Sequence, residues 1–133
     1  KHSLICGAQA KKEHFLNHEP NNNIFLSTDN DDYGFKGNVL NALEIIREEI
    51  FKEIKIFSCG PHGMLKAIFD YAINSNCNCQ LAVETIMACG IGICQGCTIE
   101  KQTSLNKNTY RNKFALACID GPVFNVKELS DAF

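Results

Sequence analysis

The sequence lacks two features that would place it among membrane or nucleic acid-binding proteins. No apolar run approaches the ~20 residues that a membrane-spanning helix needs, so we expect no association with a membrane. Neither sign of charge dominates, since 13 Lys and Arg residues against 15 Asp and Glu residues give a formal net charge of −2. We therefore expect no nucleic acid partner, because such a partner requires a basic surface.

A secretory signal and an initiating methionine are also missing. Without a signal, the eight cysteines indicate a reducing cytosol in which a metal takes up some of the thiols, so the expected location is cytoplasmic. The chain starts at Lys1, and residues 3–6 already have the pattern of a strand, so we expect a fragment of a longer polypeptide. Its 133 residues suit one domain, or one domain with a compact appendage.

Four cysteines near the C-terminus are the most informative feature that is present. Cys89, Cys94 and Cys97 form a C-x4-C-x2-C run, and Cys118 follows after twenty intervening residues. This spacing is the plant-type ligand pattern of a 2Fe–2S cluster. Two bridged irons need four thiolates from several sides, so one tight loop supplies three of them and a separate segment supplies the last.

The glycines between these cysteines fit the same interpretation. Gly90, Gly92 and Gly96 can adopt positive φ without steric cost, which allows backbone N–H groups to turn towards the sulfur atoms. Hydrogen bonds of this kind are among the interactions that set the potential of a cluster.

Three other interpretations of the cysteine run were weighed. Zinc is the strongest, since the C-x2-C unit of Cys94 and Cys97 has zinc-site spacing, although no second such unit surrounds Cys118. A zinc-stabilised binding module is therefore the alternative of another functional class. Disulfides suit three close cysteines in a glycine-rich loop less well than shared metal ligation. A dinucleotide-binding fingerprint is rejected, because that motif requires its third glycine at residue 95, whereas the chain has glycine at residue 96.

The remainder of the chain predicts an α/β fold. Residues 1–78 alternate short apolar runs with helical patterns, which indicates a partial nucleotide-binding parallel sheet. Residues 79–133 predict a small β-rich lobe that holds the 2Fe–2S cluster, with a hairpin formed by Cys97–Lys101 and Lys113–Ala117. We place the boundary between the two lobes near Asn76–Gln80.

A second candidate site follows two of the predicted strands. Cys59, Gly60 and Pro61 lead from a strand into a helix, with Pro61 expected at the first helical position. Open α/β sheets bind nucleotides at this edge, and the acidic loop that begins with Thr28 and Asp29 is expected along the same edge, where it could accept hydrogen bonds from ribose. A plain turn and a solvated acidic loop explain the same residues equally well.

Three segments resemble the ferredoxin–NADP reductase superfamily and, more narrowly, the electron-transfer subunits of NAD-dependent dihydroorotate dehydrogenase. They are the Thr28–Gly37 loop, the Cys59–Lys66 turn and the Met87–Cys97 loop with its closing Cys-Ile-Asp-Gly-Pro-Val-Phe segment at 118–124. The resemblance implies that Cys59, Gly60 and Pro61 line an NAD site. It also implies that Cys89, Cys94, Cys97 and Cys118 hold the cluster.

The resemblance further implies a function in pyrimidine biosynthesis. Electrons from dihydroorotate would pass from FMN in a catalytic partner subunit, through the 2Fe–2S cluster and an FAD, to NAD. Two departures stand out, because the family's flavin-binding β-barrel and the first strand of the nucleotide fold are both missing. Gly7-Ala8-Gln9 stands where many relatives carry Gly-Ala-Arg, which leaves the coenzyme preference open. Related flavin and iron–sulfur subunits of a sulfite reductase, a hydrogenase or a ferredoxin:NADP transhydrogenase are the alternatives.

Three further cysteines are expected to be structural. Cys6, Cys77 and Cys79 lie in or beside predicted strands, where a free cysteine usually behaves as a small apolar residue.

Overall fold

A computed structural model describes residues 2–50, 53–102 and 109–130 of the chain. The helices and strands in chain order are β1 (Leu4–Ala8), β2 (Ile24–Thr28), β3 (Phe35–Lys36), α1 (Val39–Ile50), β4 (Lys55–Cys59), α2 (His62–Asn74), β5 (Asn78–Ala82), β6 (Thr98–Glu100), α3 (Tyr110–Lys113), β7 (Phe114–Leu116), α4 (Ala117–Asp120) and β8 (Val123–Asn125). Short 3₁₀ turns cover Lys11–Glu13, Pro20–Asn22 and Val126–Glu128. In the described part of the chain no helix combines the length and the apolar composition that crossing a membrane requires.

The first compact unit, Lys1–Lys52, contains a parallel sheet in the order β1-β2-β3. Strand β2 is its centre, and Phe25, Leu26, Ser27 and Thr28 are all buried. A strand covered on both faces has no room for alternating exposed residues, which is typical of parallel sheets. Helix α1 packs on all three strands.

The second compact unit, Glu53–Phe133, contains a mixed sheet in the order β4-β5-β8 and the two-stranded ladder β6-β7. Strand β5 runs parallel to β4 and antiparallel to β8. Helix α2 packs on β4 and β5 and buries Leu65, Ile68, Phe69 and Ala72. These residues recur at spacings of three and four, so they share one face of the helix.

The predicted α/β architecture is confirmed, while the compact units differ from the predicted lobes. The predicted boundary near Asn76–Gln80 falls at the start of β5, whereas the chain divides into its two compact units between residues 52 and 53. The physical reason is the position of β5, which pairs with β4 on one side and with β8 on the other. Residues 55–82 therefore fold together with the C-terminal part of the chain.

Candidate metal centre and nucleotide turn

Positive φ angles shape the loop between Cys89 and Cys97. Gly90 and Gly92 have φ of 68° and 77°, in the left-handed region that glycine adopts without cost. Gln95, rather than the expected Gly96, takes the third positive φ, at 57°. The Gln95 carbonyl accepts a hydrogen bond of 2.6 Å from Thr98 Oγ1, which contributes to holding this conformation.

Backbone N–H groups of the loop point at its sulfur atoms. The Cys94 N–H donates to Cys89 Sγ at 3.4 Å, and the Gly96 N–H donates to Cys94 Sγ at 3.4 Å. The N–H groups of Cys94 and Ile91 lower the pKa of the Cys89 thiol from 9.0 to about 6. Donors that point at a thiol favour its thiolate form, which is the form that binds metal.

The fourth cysteine comes from a separate turn and lies against the end of the loop. Cys118 Sγ is 3.2 Å from Cys97 Sγ, and the Ala117 N–H donates to the Cys97 carbonyl at 3.0 Å. The backbone N–H of Cys118 and the contact between the two thiols lower the pKa of Cys97, while the same thiol contact raises the pKa of Cys118.

These contacts join Cys89 with Cys94 and Cys97 with Cys118, and Cys89 also interacts electrostatically with Cys97 and Cys118. The donor set of four thiols and inward-pointing N–H groups suits an iron–sulfur cluster, which is held by thiolates and tuned by hydrogen bonds to sulfur. Among the residues that the structure describes, no group of three or more His, Cys, Asp or Glu side chains is arranged to hold a single metal ion.

The Cys59-Gly60-Pro61 turn joins β4 to α2. Cys59 is exposed, and Gly60 has φ of 150°, with Met64 Cε 2.5 Å from the position of an added Cβ. Pro61 is the N-cap of α2 rather than its first helical residue. Its carbonyl accepts the N–H groups of Met64 and Leu65 at 2.9 and 3.0 Å, which begins the helix.

Thr28 and Asp29 end strand β2 in the first unit and differ in what they can offer a ligand. Thr28 is fully buried, and its hydroxyl lies 2.5 Å from the Asp31 carbonyl and 2.9 Å from the Tyr33 carbonyl. It therefore holds its own loop together. Asp29 is exposed, and its backbone N–H donates to the Ala8 carbonyl at 3.2 Å.

The structure thus places the four proposed ligand cysteines in one unit, while the predicted nucleotide residues are divided between two. Thr28 and Asp29 belong to the first unit, and Cys59, Gly60 and Pro61 belong to the second. Their placement along one sheet edge stays a prediction.

The structure adds one feature of the metal centre that the sequence did not reveal. The backbone turn at Gln95 carries no sequence signal, because glutamine is not among the residues that favour positive φ. The three cysteines that were expected to be structural lie in or beside strands. Cys6 is in β1, Cys79 is in β5, and Cys77 comes just before β5.

Residues 84–130 match a family model described as the iron–sulfur cluster binding domain of dihydroorotate dehydrogenase B. A probable dihydroorotate dehydrogenase B (NAD(+)), electron transfer subunit, from Archaeoglobus fulgidus is 33% identical over 131 residues, which are 97% of this chain and 50% of that protein. The corresponding subunit from Caldanaerobacter subterraneus is 34% identical over 122 residues, 90% of this chain and 46% of that protein.

A solved structure shares the fold. Its title is "Insights into flavin-based electron bifurcation via the NADH-dependent reduced ferredoxin-NADP oxidoreductase structure", and it matches with a TM-score of 0.72 and 21% identity over 98% of this chain and 44% of that chain. The chain has a ferredoxin–NADP reductase-like fold, and its residues 84–130 are similar to an iron–sulfur cluster binding domain. Within that class, residues 84–130 match the model of the dihydroorotate dehydrogenase B cluster domain, and nearly the whole chain is similar to the electron transfer subunits. The resemblance is thereby confirmed, and the chain spans about half the length of the curated relatives it matches.

Proposed function

We propose that this chain belongs to an electron-transfer subunit of an NAD-dependent dihydroorotate dehydrogenase and carries its 2Fe–2S cluster. Cys89, Cys94, Cys97 and Cys118 are the proposed ligands. The observation that carries the proposal is the set of N–H groups aimed at the loop sulfurs, together with the approach of Cys118 to Cys97 at 3.2 Å. A bound cluster supplies one-electron transfer, and the protein supplies thiolates and hydrogen bonds that hold it and set its potential.

The nucleotide site is the second part of the proposal. The proposed NAD-binding residues are Asp29, directly after β2, and Cys59, Gly60 and Pro61 at the end of β4, since the carboxyl ends of parallel strands are where such sheets bind nucleotides. Because the Thr28 hydroxyl is used inside its own loop, the proposed role of Thr28 is to shape the site. FAD would be bound by a part of the subunit outside this chain. In function, residues 1–78 are proposed to serve NAD and residues 79–133 the cluster.

The remaining parts concern the cellular setting. The proposed partner is an FMN-containing catalytic subunit that oxidises dihydroorotate, in the cytoplasm and in pyrimidine biosynthesis. The names of the curated relatives support this assignment.

Electron delivery from dihydroorotate tests the proposal. The chain, within its full subunit, is co-expressed with the FMN-containing partner, and dihydroorotate is added without oxygen while the reduced cluster is followed by EPR. We expect a signal in the wild type and in Cys77→Ala, whose altered residue lies outside the ligand set, and none in Cys118→Ser. A loaded cluster that dihydroorotate leaves oxidised, while reduced ferredoxin, sulfide or hydrogen reduces it, would contradict the proposal in favour of the related subunits.

A further inference from the structure

The short turn that carries Cys118 is closed by a side chain two residues further along. Helix α4 has only four residues, Ala117–Asp120, and a single helical turn is not stable by itself. One Asp120 carboxylate oxygen accepts the Leu116 N–H at 2.8 Å. This bond spans Cys118, so the carboxylate of Asp120 limits where the Cys118 thiol can point.

The side chain of Ile119, the residue after Cys118, lies against Gly92 of the loop of residues 89–97. Ile119 is 58% exposed, yet it occupies the place where a side chain on Gly92 would lie, and an added Cβ there would overlap Ile119 Cδ1. Gly92 also has a positive φ of 77°. Its missing side chain therefore allows the segment after Cys118 to lie directly on the loop that contains the other three cysteines.

Two further contacts anchor the ends of this turn. The Ala117 N–H donates to the Cys97 carbonyl at 3.0 Å. After the turn, the buried Phe124 ring lies 2.5 Å from the position of an added Cβ on Gly121. The turn is thus anchored on both sides. Between these anchors, the side chains of Asp120 and Ile119 restrict the conformation of the turn.

We propose that Asp120 and Ile119 are positioning residues that hold the Cys118 thiol towards the other three ligands. Cys118 is the one proposed ligand outside the loop of residues 89–97, and the Gly92 N–H of that loop hydrogen-bonds its sulfur. Residues that orient a metal ligand commonly change metal affinity 10- to 100-fold when they are replaced. The inference rests on the proposed ligand set. It gives a physical role to Ile119 and Asp120, the second and third residues of the Cys-Ile-Asp-Gly-Pro-Val-Phe segment.

The Asp120 contact is tested by two substitutions that differ only in the acceptor. Asp120→Ala removes the acceptor, while Asp120→Asn retains an oxygen that can accept the Leu116 N–H. With the cluster loaded, we expect Asp120→Ala to release iron to a chelator about 10- to 100-fold faster than the wild type and to shift the EPR g values. Asp120→Asn should stay near the wild-type rate. Asp70→Ala, which removes a partly exposed carboxylate on α2, is the control for loss of charge.

The Ile119 contact is tested by a pair of glycines in the same loop. Gly90 and Gly92 both have positive φ, but an added Cβ on Gly90 meets nothing within 4 Å. Gly92→Ala should therefore release iron faster than Gly90→Ala. Ile119→Ala alone should also release iron faster than the wild type, because the side chain that lies against Gly92 is then lost. This arm holds even if Asp120→Ala fails to fold, since Ile119 is largely exposed.

Each result decides one point. Equal release rates for Asp120→Ala and Asp120→Asn, or wild-type rates and g values in Asp120→Ala, would overturn the role of Asp120. Equal rates for Gly90→Ala and Gly92→Ala would overturn the role of Ile119. A lower melting temperature with unchanged g values and release rate indicates a structural role alone, and so also overturns the inference. Retention of the cluster by Cys118→Ser would instead contradict the proposed ligand set.

Discussion

Strand β5 and the loop of residues 89–97 both contain cysteines, and the two regions shift the pKa of the thiol group in opposite directions. Cys79 is fully buried in β5, where burial and the neighbouring Cys77 raise its pKa to about 12. In the loop, backbone N–H groups lower the pKa of Cys89 to about 6. Both begin from an ordinary thiol value of 9.0.

The difference shows how the environment of a cysteine favours either the thiolate or the neutral thiol. A buried strand uses its N–H groups in the ladder and surrounds the sulfur with apolar atoms, so the neutral thiol is favoured. A loop with positive φ angles turns its N–H groups towards sulfur, so the thiolate is favoured. Local backbone conformation therefore separates the two sets of cysteines more clearly than their spacing alone.

The largest expected effect is on the cluster itself. Cys89→Ser should abolish or nearly abolish the visible absorbance of the reconstituted protein, because a proposed ligand is lost. Cys79→Ala should keep the absorbance, because Cys79 contributes to the core. Iron content and the visible spectrum of the two variants check this difference. A full cluster in Cys89→Ser, or its loss in a folded Cys79→Ala, would break the comparison.

A smaller effect is expected on the free energy of unfolding. Here a substitution in β5 should have a larger effect than one in the loop of residues 89–97. Leu81 of β5 is fully buried, whereas Ile93 of the loop is 76% exposed. Leu81→Ala should lower the free energy of unfolding by about 2–5 kcal/mol, since it leaves a cavity. Ile93→Ala should change it by less than about 0.5 kcal/mol. Urea denaturation measures both values, and similar losses in the two variants would argue against this placement of the core.

The smallest expected effect concerns alkaline pH. In the unfolded chain the Cys79 thiol loses its proton near pH 9.0, while in the folded chain it retains the proton up to about pH 12. Between these values the unfolded state binds fewer protons, so the free energy of unfolding falls as pH rises. The stabilising contribution of Cys79 is fully present below pH 9. The difference in unfolding free energy between wild type and Cys79→Ala should shrink across this range, and a constant difference would contradict the assignment.

Much of the fold followed from the apolar patterns of single segments. The strand pattern at residues 3–6 overlaps β1, and the predicted hairpin is confirmed by the pairing of Thr98 with Leu116. Strands β3 and β8 have only two and three residues, too few for a periodic pattern. Because β8 pairs with β5 across a long sequence separation, the grouping of the compact units could not be deduced from local patterns.

The candidate metal centre was predictable in composition and less so in geometry. The spacing of the cysteines predicts the four proposed ligands, but it carries no information about Asp120, whose proposed role depends on a hydrogen bond to Leu116. The buried face of α1 contains Ala42 and Ile46, while Leu40 is only half-buried. A small alanine at the centre of a packed helix face gives a weak hydrophobic signal.

Metal and sulfide analysis tests the central proposal most directly. The chain is reconstituted without oxygen, separated from free ions and analysed for iron, zinc and acid-labile sulfide, with EPR before and after reduction. The account predicts two irons and two sulfides per chain, a brown colour and an EPR signal that is present only after reduction. A colourless protein that holds one zinc ion per chain and no sulfide would contradict it.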